Sequence, residues 1–326
     1  MDKSADVNLS YNQRVDISLF GDQQPWYSGY IQVIPQSGST EDTAVYKGYG
    51  FFNDLDKVLV NKTYETIEIS AMVHDLMTTV IEPRSKIRYN TSKIYSTNYT
   101  AEKLRFEYQK AKDVVKTLSE FAIDYVYGVD AYRDLFFKPL NREINENSRF
   151  WVGYHVSKFV PEEDCGDIVN FFYAKAGELR EDGTNIYPTP FQDAESIAQY
   201  GIREDVLSIP SAVSDADVER WGYSELDKRK RPKKTCKIEG FNPDLIKRNI
   251  KPEGVARITV EDGSKYYDYP IKSVKYKVNS NGIQFSMQMG DYSPRLDQYI
   301  AKLYRDAKNA EFAQQLNNKQ LSGVEI

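Results

Sequence analysis

The chain has 326 residues, a mass of 37.6 kDa and a formal net charge of −5, from 43 Lys and Arg against 48 Asp and Glu. This length is enough for about two ordinary domains, which excludes a small disulfide-stapled protein. The excess of acidic residues disfavours a general DNA-binding protein, because such proteins carry clustered positive charge. Aromatic residues make up 13% of the chain and 25 of them are Tyr, a residue that suits half-buried sheets and interfaces.

Cysteine and histidine are scarce. The chain has only Cys165, Cys236, His74 and His155, and none of them is close to another in sequence. A structural zinc site needs four nitrogen or sulfur ligands at short spacings, so we predict neither a metal nor another cofactor. No apolar run reaches the length of a signal peptide or a membrane span, and the mean hydropathy is −0.61. We expect a soluble chain made in a reducing compartment, without insertion in a membrane.

The first ninety residues have the period-two alternation of apolar and polar side chains that is typical of β-strands. The breaks between the alternating segments carry turn residues, for example Gly21-Asp22 and Asn53-Asp54. Four short strands at this spacing predict an antiparallel sheet or a small barrel. The predicted strands are residues 15–20, 27–35, 44–52 and 64–73.

The spacing of apolar side chains changes in residues 100–125. Apolar side chains recur there every three or four residues, at Val114, Val115, Leu118, Phe121 and Ala122. This spacing predicts an amphipathic helix. Two short strands come next, so we predict a helix-plus-hairpin unit that is inserted into the sheet domain. The hairpin strands are residues 123–128 and 135–139, and further strands are predicted at 149–159 and 167–177.

The last third of the chain combines a helix with more strands. Ser211 or Ser214 is predicted to cap a helix that runs to about Lys228, with acidic residues in its first turn. Gly222 costs this helix about 1 kcal/mol relative to Ala, so a break there is an open alternative. The turn at residues 279–282 predicts a hairpin. The predicted strands are 235–241, 254–262, 267–278 and 282–291, and a C-terminal helix is predicted from Ser293.

No catalytic signature is present. The sequence has no nucleophile elbow, no phosphate-binding loop and no zinc-protease motif. His74 has no nucleophile near it in sequence, and His155 lies in the middle of a predicted strand, so both are interpreted as structural. We therefore predict that the chain is not an enzyme.

A basic run places six cations within residues 228–234. A solvated loop between a helix and a strand is the favoured interpretation. The alternatives are contacts with the phosphates of passing nucleic acid and a salt-dependent contact with the acidic face of a neighbouring subunit. The six cations are Lys228, Arg229, Lys230, Arg231, Lys233 and Lys234.

Residues 193–204, together with the helix and strands C-terminal to them, resemble the closing domain of baseplate hub proteins of tailed bacteriophages. In that family an acidic-Ser-Ile-x-x-Tyr-Gly-x-Arg-Glu segment precedes the helix that leads into a tube-type β-domain. The residues that match this pattern, here called the signature segment, are Asp193, Ser196, Ile197, Tyr200, Gly201, Arg203 and Glu204. The chain departs from the family at Ile202, where a second basic residue is frequent.

The remaining segments of the chain resemble segments of the same family and occur in a similar order. YSGYIQVI and VYKGYGFFNDL resemble strands of the first tube-type domain, and DVVKTLSEF with IDYVYGVDAYRDLFFKP resembles the inserted helix and hairpin. Gly201 is expected to allow a sharp turn, although Tyr200-Gly201 merely ending a helix is an equal alternative. Arg203 and Glu204 are candidates for ion pairs within or between subunits.

The resemblance implies a β-dominated α+β chain with two tube-type antiparallel β-barrel or sandwich domains, an inserted helix-hairpin unit and a C-terminal helix. The expected boundaries are 1–90 plus 148–195 for the first domain and 91–147 for the insert. The second domain is expected at 196–292 with its leading helix, and the C-terminal helix and tail at 293–326.

The resemblance also implies a virion protein of a tail tip or baseplate, assembled in the host cytoplasm. Three copies would form a ring that continues the tail tube, adapts six-fold to three-fold symmetry and gates DNA passage during host entry. The expected partners are two further copies, a hexameric distal tail or tube protein, a central tip or fibre protein, the tape-measure protein and DNA in transit. The alternatives are a tail-tip enzyme that degrades cell-envelope polymer and a module that binds a host receptor or glycan.

Overall fold

A computed structural model describes residues 9–35, 45–179, 183–241, 250–260, 263–279 and 282–290 of the chain. Strands dominate these residues and four α-helices accompany them. The predicted class, a β-dominated α+β protein, is confirmed. The predicted helix from Ser293 lies outside the described residues. No described helix has the length and apolar character needed to cross a membrane.

The elements are numbered in chain order. The first eight strands are β1 (Arg14–Ile17), β2 (Tyr27–Val33), β3 (Lys47–Gly50), β4 (Leu59–Glu68), β5 (Thr100–Lys110), β6 (Tyr125–Val129), β7 (Leu135–Pro139) and β8 (Ile144–Trp151). The other strands are β9 (Val156–Asp164), β10 (Phe171–Lys175), β11 (Phe191–Gln192), β12 (Glu204–Ser208), β13 (Lys233–Phe241), β14 (Val255–Val260), β15 (Lys265–Asn279) and β16 (Gly282–Gly290). The helices are α1 (Ile69–Leu76), α2 (Ala111–Ala122), α3 (Ala194–Tyr200) and α4 (Asp215–Arg229).

Two strands run directly into helices, and this corrects two sequence predictions. β4 ends at Glu68 and α1 begins at Ile69, whereas the alternation predicts one strand over 64–73. β5 occupies the first part of the helix predicted for 100–125, which begins only at Ala111. The two strands pair antiparallel with each other, and their buried side chains join those of α1 and α2 in one core. Strand pairing with a distant segment therefore overrides the local helical pattern.

A first hydrophobic core contains side chains of α1, α2 and α4, of β4 to β7 and of the three-stranded sheet β11-β10-β12. In that sheet β11 pairs antiparallel with β10, and β12 pairs parallel with it. α4 packs against this sheet, with Val218, Trp221 and Leu226 buried in the core. Ser214 caps α4 by accepting a hydrogen bond from the N–H of Asp217, and the helix is continuous through Gly222. The break considered at Gly222 is therefore absent.

A second core lies under a six-stranded sheet of order β8-β14-β15-β16-β13-β9. β15 and β16 form the predicted hairpin, with Asn279 opposite Gly282. The two edge strands, β8 and β9, are consecutive in the chain and are joined by residues 152–155. Six flat strands would separate their edges by about 24 Å, at about 4.8 Å per strand. Because Gly153 N–H donates to the carbonyl of Val156 at 2.8 Å, the turn is tight and the sheet must curl into a half-barrel.

The strand predicted over 149–159 is thus two strands with a turn between them, and both belong to the six-stranded sheet. The predicted boundaries assign residues 91–147 to the insert and 148–195 to the first domain. The sheet takes β8 and β9 from residues 144–164 and its other strands from 233–290. The predicted domain boundaries stay a prediction. Strand pairing groups residues 144–164 with residues 233–290, and a revised division would follow this grouping.

The antiparallel sheet β1-β2-β3 contacts both cores. The Tyr30 hydroxyl donates to the carboxylate of Asp54 at 2.5 Å, and Asp54 is the sequence neighbour of Leu55 in the first core. Trp26 donates its indole N–H to the carbonyl of Ile250 at 2.9 Å and packs edge-on against Tyr276 of the second core. The N-terminal sheet therefore ties the two cores together.

Candidate functional site at the junction of the two cores

Two short segments carry the chain between the cores and run side by side. Residues 165–170 lead from β9 to β10, and residues 230–232 lead from α4 to β13. The N–H of Val169 donates to the carbonyl of Arg229 at 3.1 Å. The ammonium of Lys233 lies 2.9 Å from a carboxylate oxygen of Asp167. We call this region, together with the signature segment that packs on it, the junction.

The signature segment begins with a capped helix. Asp193 is the N-cap of α3, and its carboxylate accepts a hydrogen bond from the N–H of Ser196 at 2.9 Å. This backbone hydrogen bond and the ammonium of Lys230, 3.2 Å away, lower the pKa of Asp193. Ser196 is buried, and its hydroxyl donates to the carbonyl of Lys230 at 2.6 Å. The start of the signature segment is therefore held against the end of α4.

A residue that the sequence analysis missed organises the rest of the segment. Asn170 is fully buried, and its amide nitrogen donates to the hydroxyl of Ser196 at 3.1 Å and to the carbonyl of Gly201 at 2.9 Å. Its amide oxygen accepts the N–H of Arg203 at 2.8 Å. One side chain thus fixes three points of the signature segment. The available signal was a lone polar residue within the apolar run 168–174, because a buried amide requires partners.

Gly201 ends α3 with a positive φ of 74°, in the left-handed region that favours glycine. Its N–H donates to the carbonyl of Ile197 at 2.9 Å, while its own carbonyl is the acceptor for Asn170. Ile197 and Tyr200 are half-buried, and Arg203 and Glu204 are exposed. The expected ion pairs of Arg203 and Glu204 are not present among the described residues, so pairing with another subunit stays a prediction.

The structure brings most of the basic run into the same junction. Lys228 and Arg229 both pair with the buried carboxylate of Glu225, at 2.8 and 3.3 Å. Burial alone would raise the pKa of Glu225, but these two cations lower it. Lys230 pairs with Asp227 at 3.0 Å as well as with Asp193, and both carboxylates raise its pKa.

Four of the six cations therefore have partners within the chain, once the pair formed by Lys233 is included. Arg231 and Lys234 are exposed and have no salt bridge to another described residue. The run therefore mainly holds the two connecting segments together, and Arg231 and Lys234 are its two exposed cations that pair with no described carboxylate. Contacts of these two with phosphate or with another subunit stay predictions.

An exposed apolar patch adjoins the junction. On the outer face of β10 and β12, Tyr173 lies opposite Val206, and Phe171 lies opposite Glu204. Val206 is 51% exposed and Ile202, just before β12, is 57% exposed. β12 has no strand on its other side within the described residues, so the patch ends at a free sheet edge. We call Phe171, Tyr173, Ile202 and Val206 the β10–β12 patch.

The chemistry of the junction is that of a structural site. No three His, Cys, Asp or Glu side chains among the described residues are arranged to hold a metal ion. The polar groups are used for hydrogen bonds and ion pairs inside the chain, and the side chains that remain available are apolar or singly charged. This arrangement can join rigid parts and can contact another protein.

Comparison with solved structures gives the fold a context. The chain is similar to a 43 kDa tail protein of prophage MuSo2 from Shewanella oneidensis, with a TM-score of 0.63, 11% identity, and coverage of 88% of this chain and 86% of the other. It is also similar to prophage tail protein gp18 from Listeria monocytogenes EGD-e, with a TM-score of 0.56, 12% identity, and coverage of 94% and 87%. The chain has the tail-protein fold. A tail protein from Neisseria meningitidis MC58 agrees, with a TM-score of 0.57, 10% identity, and coverage of 82% and 80%.

No protein-family model and no curated protein matches the sequence. At identities of 10 to 12% the likeness concerns the fold, and it covers at least 80% of every chain compared. The resemblance to phage tail proteins inferred from the sequence is thereby confirmed at the level of the fold.

Proposed function

We propose that this chain is a structural protein of a phage tail tip or baseplate, in which three copies form the hub. The observation that carries the proposal is the tail-protein fold shared with three tail proteins over at least 80% of each chain. The ring would continue the tail tube, and two β-units in each of three chains would match a six-fold tube to a three-fold tip. Its central opening would conduct DNA during host entry.

The β10–β12 patch supports association with other copies. Exposed aromatic and aliphatic side chains beside a free sheet edge are the features with which a sheet continues into a neighbouring chain. Three of the described tyrosines are buried, namely Tyr30, Tyr64 and Tyr187, whereas nine are exposed. This distribution favours the interpretation that many of the tyrosines lie at contacts between subunits.

The remaining partners are inferred from the position of such a ring. We propose a hexameric distal tail or tube protein on one side, a central tip or fibre protein on the other, and the tape-measure protein within the channel before DNA passes. No observation favours the envelope-degrading enzyme or the receptor or glycan-binding module over this function.

The mass of the purified full chain in solution tests the proposal directly. Light scattering after size exclusion should give three times the 37.6 kDa of the chain at high protein concentration. Antibody labelling of assembled particles should place the chain at the tail tip. A strict monomer that is also absent from the tail tip would refute the proposal, and turnover of peptidoglycan or surface polysaccharide would favour the enzyme instead.

A further inference from the structure

The outer face of the β15–β16 hairpin has an unusual charge for this chain. Residues 269–290 contain no Asp or Glu, although acids outnumber bases in the chain as a whole. The same stretch contains three lysines, Lys272, Lys275 and Lys277, and all three are exposed. None of them forms a salt bridge to another described residue. The hairpin therefore has a local excess of positive charge, although the whole chain has a net charge of −5.

The register of the hairpin places these lysines together. Lys275 lies opposite Ser286 and Lys277 lies opposite Gln284, while Val274 and Tyr276 between them face the second core. Lys272 lies in the register shift between Ile271 and Ser273. Residues two apart on a strand are about 6.6 Å apart, so Lys275 and Lys277 form a short row of charges. The lysine face consists of Lys272, Ser273, Lys275, Lys277, Gln284, Ser286 and Gln288.

Neighbouring strands extend the positive field. On β13, Lys237 lies opposite Gln288, and on β9, Lys158 lies opposite Glu239. Glu239 pairs with both Lys237 and Lys158, so these three side chains together retain one positive charge. The positive field continues from the hairpin to Lys237 and ends on β9 at the exposed Glu162, which lies opposite Thr235.

The composition of the face distinguishes between possible partners. Protein interfaces have apolar or aromatic side chains at their centre and are depleted in Lys and Ser. The lysine face has no apolar side chain, and Lys, Ser and Gln are residues that donate hydrogen bonds to phosphate oxygens. Its charge complements a regular polyanion. We propose that the lysine face binds the phosphate backbone of nucleic acid without regard to sequence.

This inference rests on and deepens the proposed function, in which DNA passes through the hub, but the binding itself is a property of the isolated chain. Three lysines that each neutralise one phosphate predict weak, salt-dependent binding, with a slope of log K against log salt of about −3. The affinity should be independent of base sequence, since no base-reading groups are required.

The test is fluorescence anisotropy of a labelled DNA duplex titrated with the full chain, from about 50 mM to about 200 mM salt. The variant Lys275→Gln/Lys277→Gln should bind on the order of tenfold more weakly at low salt, with a slope near −1. The matched control is Lys47→Gln/Lys175→Gln, which removes two exposed lysines of other sheets and gives the same net charge. The control should bind as the original chain does, and thermal melts should show both variants folded.

Several results would overturn the inference. They are no binding at low salt, equal loss of binding in both double variants, and binding of polyglutamate as tight as binding of DNA. The last result would favour an acidic protein partner. If the chain forms a trimer but does not bind DNA, the inference is wrong and the proposed hub function still stands. If a strict monomer binds DNA through these lysines, the inference is supported and the hub function is not.

Discussion

At the scale of single residues, the junction depends on one buried amide. Asn170 uses both its donor and its acceptor atoms on the signature segment. We expect Asn170→Ala to lower the free energy of unfolding by roughly 2–4 kcal/mol, because three partner groups lose their hydrogen bonds. Urea denaturation measures this loss.

The exposed Asn147 provides the control for that substitution. Asn147→Ala should change the free energy of unfolding by less than about 0.5 kcal/mol. Equal stability of Asn170→Ala and the original chain would show that the segment does not depend on the amide.

Glu68 is a residue whose protonation should affect stability. One carboxylate oxygen accepts hydrogen bonds from the Ser96 hydroxyl at 2.6 Å, the Ser70 hydroxyl at 2.9 Å and the N–H groups of Thr97 and Asn98. These bonds, that of Ser96 first, lower the pKa of Glu68 to about 2. The folded pKa lies below the ordinary value of 4.5, so the stabilisation is complete above pH 4.5 and is lost as the pH falls towards 2.

Substitution of Glu68 by Gln tests this dependence. Glu68→Gln should be less stable than the original chain at pH 6, and the difference between the two should shrink steadily as the pH is lowered from 5 to 3. Urea midpoints of both proteins at each pH measure it. A difference that stays constant over this interval would contradict the role of the Glu68 charge.

At the scale of elements, α4 passes over the sheet so closely that it requires a glycine. A Cβ at Gly222 would lie 2.3 Å from Cζ of Phe191, whose ring stacks on Phe172 and Tyr187. Gly to Ala within a helix ordinarily gains about 1 kcal/mol. We expect Gly222→Ala instead to destabilise the chain by roughly 1–3 kcal/mol, because the stacked rings must shift.

A double variant identifies the cause. If the clash with Phe191 is responsible, Gly222→Ala combined with Phe191→Leu should lose less stability than the sum of the single variants, as measured by thermal unfolding. Stabilisation by Gly222→Ala alone would show that the ring moves aside freely.

Local sequence patterns predicted the elements unequally well. The helix α4, its Ser214 cap and the β15–β16 hairpin depend on signals within a few residues, and the structure confirms them. β5 could not be predicted in this way, because its strand character depends on pairing with β4, between 32 and 51 residues earlier. Asn170 was missed for a similar reason, since its partners come from α3 and the segment after it.

At the scale of the whole molecule, the β10–β12 patch is the surface on which assembly can be tested. Val206 is exposed, so Val206→Arg should leave the free energy of unfolding within about 0.5 kcal/mol of the original. If the patch is the seam of the proposed trimer, this charge should nevertheless dissociate the assembly to monomers. Light scattering measures the mass of each variant.

Leu59 offers a matched control, because it is apolar, half exposed and lies on β4, in a different sheet from the patch. Leu59→Arg should leave the mass of the assembly unchanged. A trimer that tolerates Val206→Arg would show that the copies meet through another surface.

The overall class and the order of the pieces could be predicted from the sequence, because alternation and turn residues are local and the resemblance depends on order. Which strands share a sheet could not be predicted. Val156 and Phe241 are register partners 85 positions apart, and nothing in either segment specifies the other.

The half-barrel has a consequence for folding. Its edge strands β8 and β9 are synthesised before any of their partners, since β9 pairs with residues 69 to 85 positions further along the chain. At ordinary rates of translation this interval lasts roughly 4–15 s. The first core can form during this interval, while β8 and β9 have no partner strands. β9 contains three acidic residues and Pro161, which disfavour aggregation between unpaired strands. The sequence of β9 therefore reduces the risk of aggregation until β13 to β16 have been synthesised.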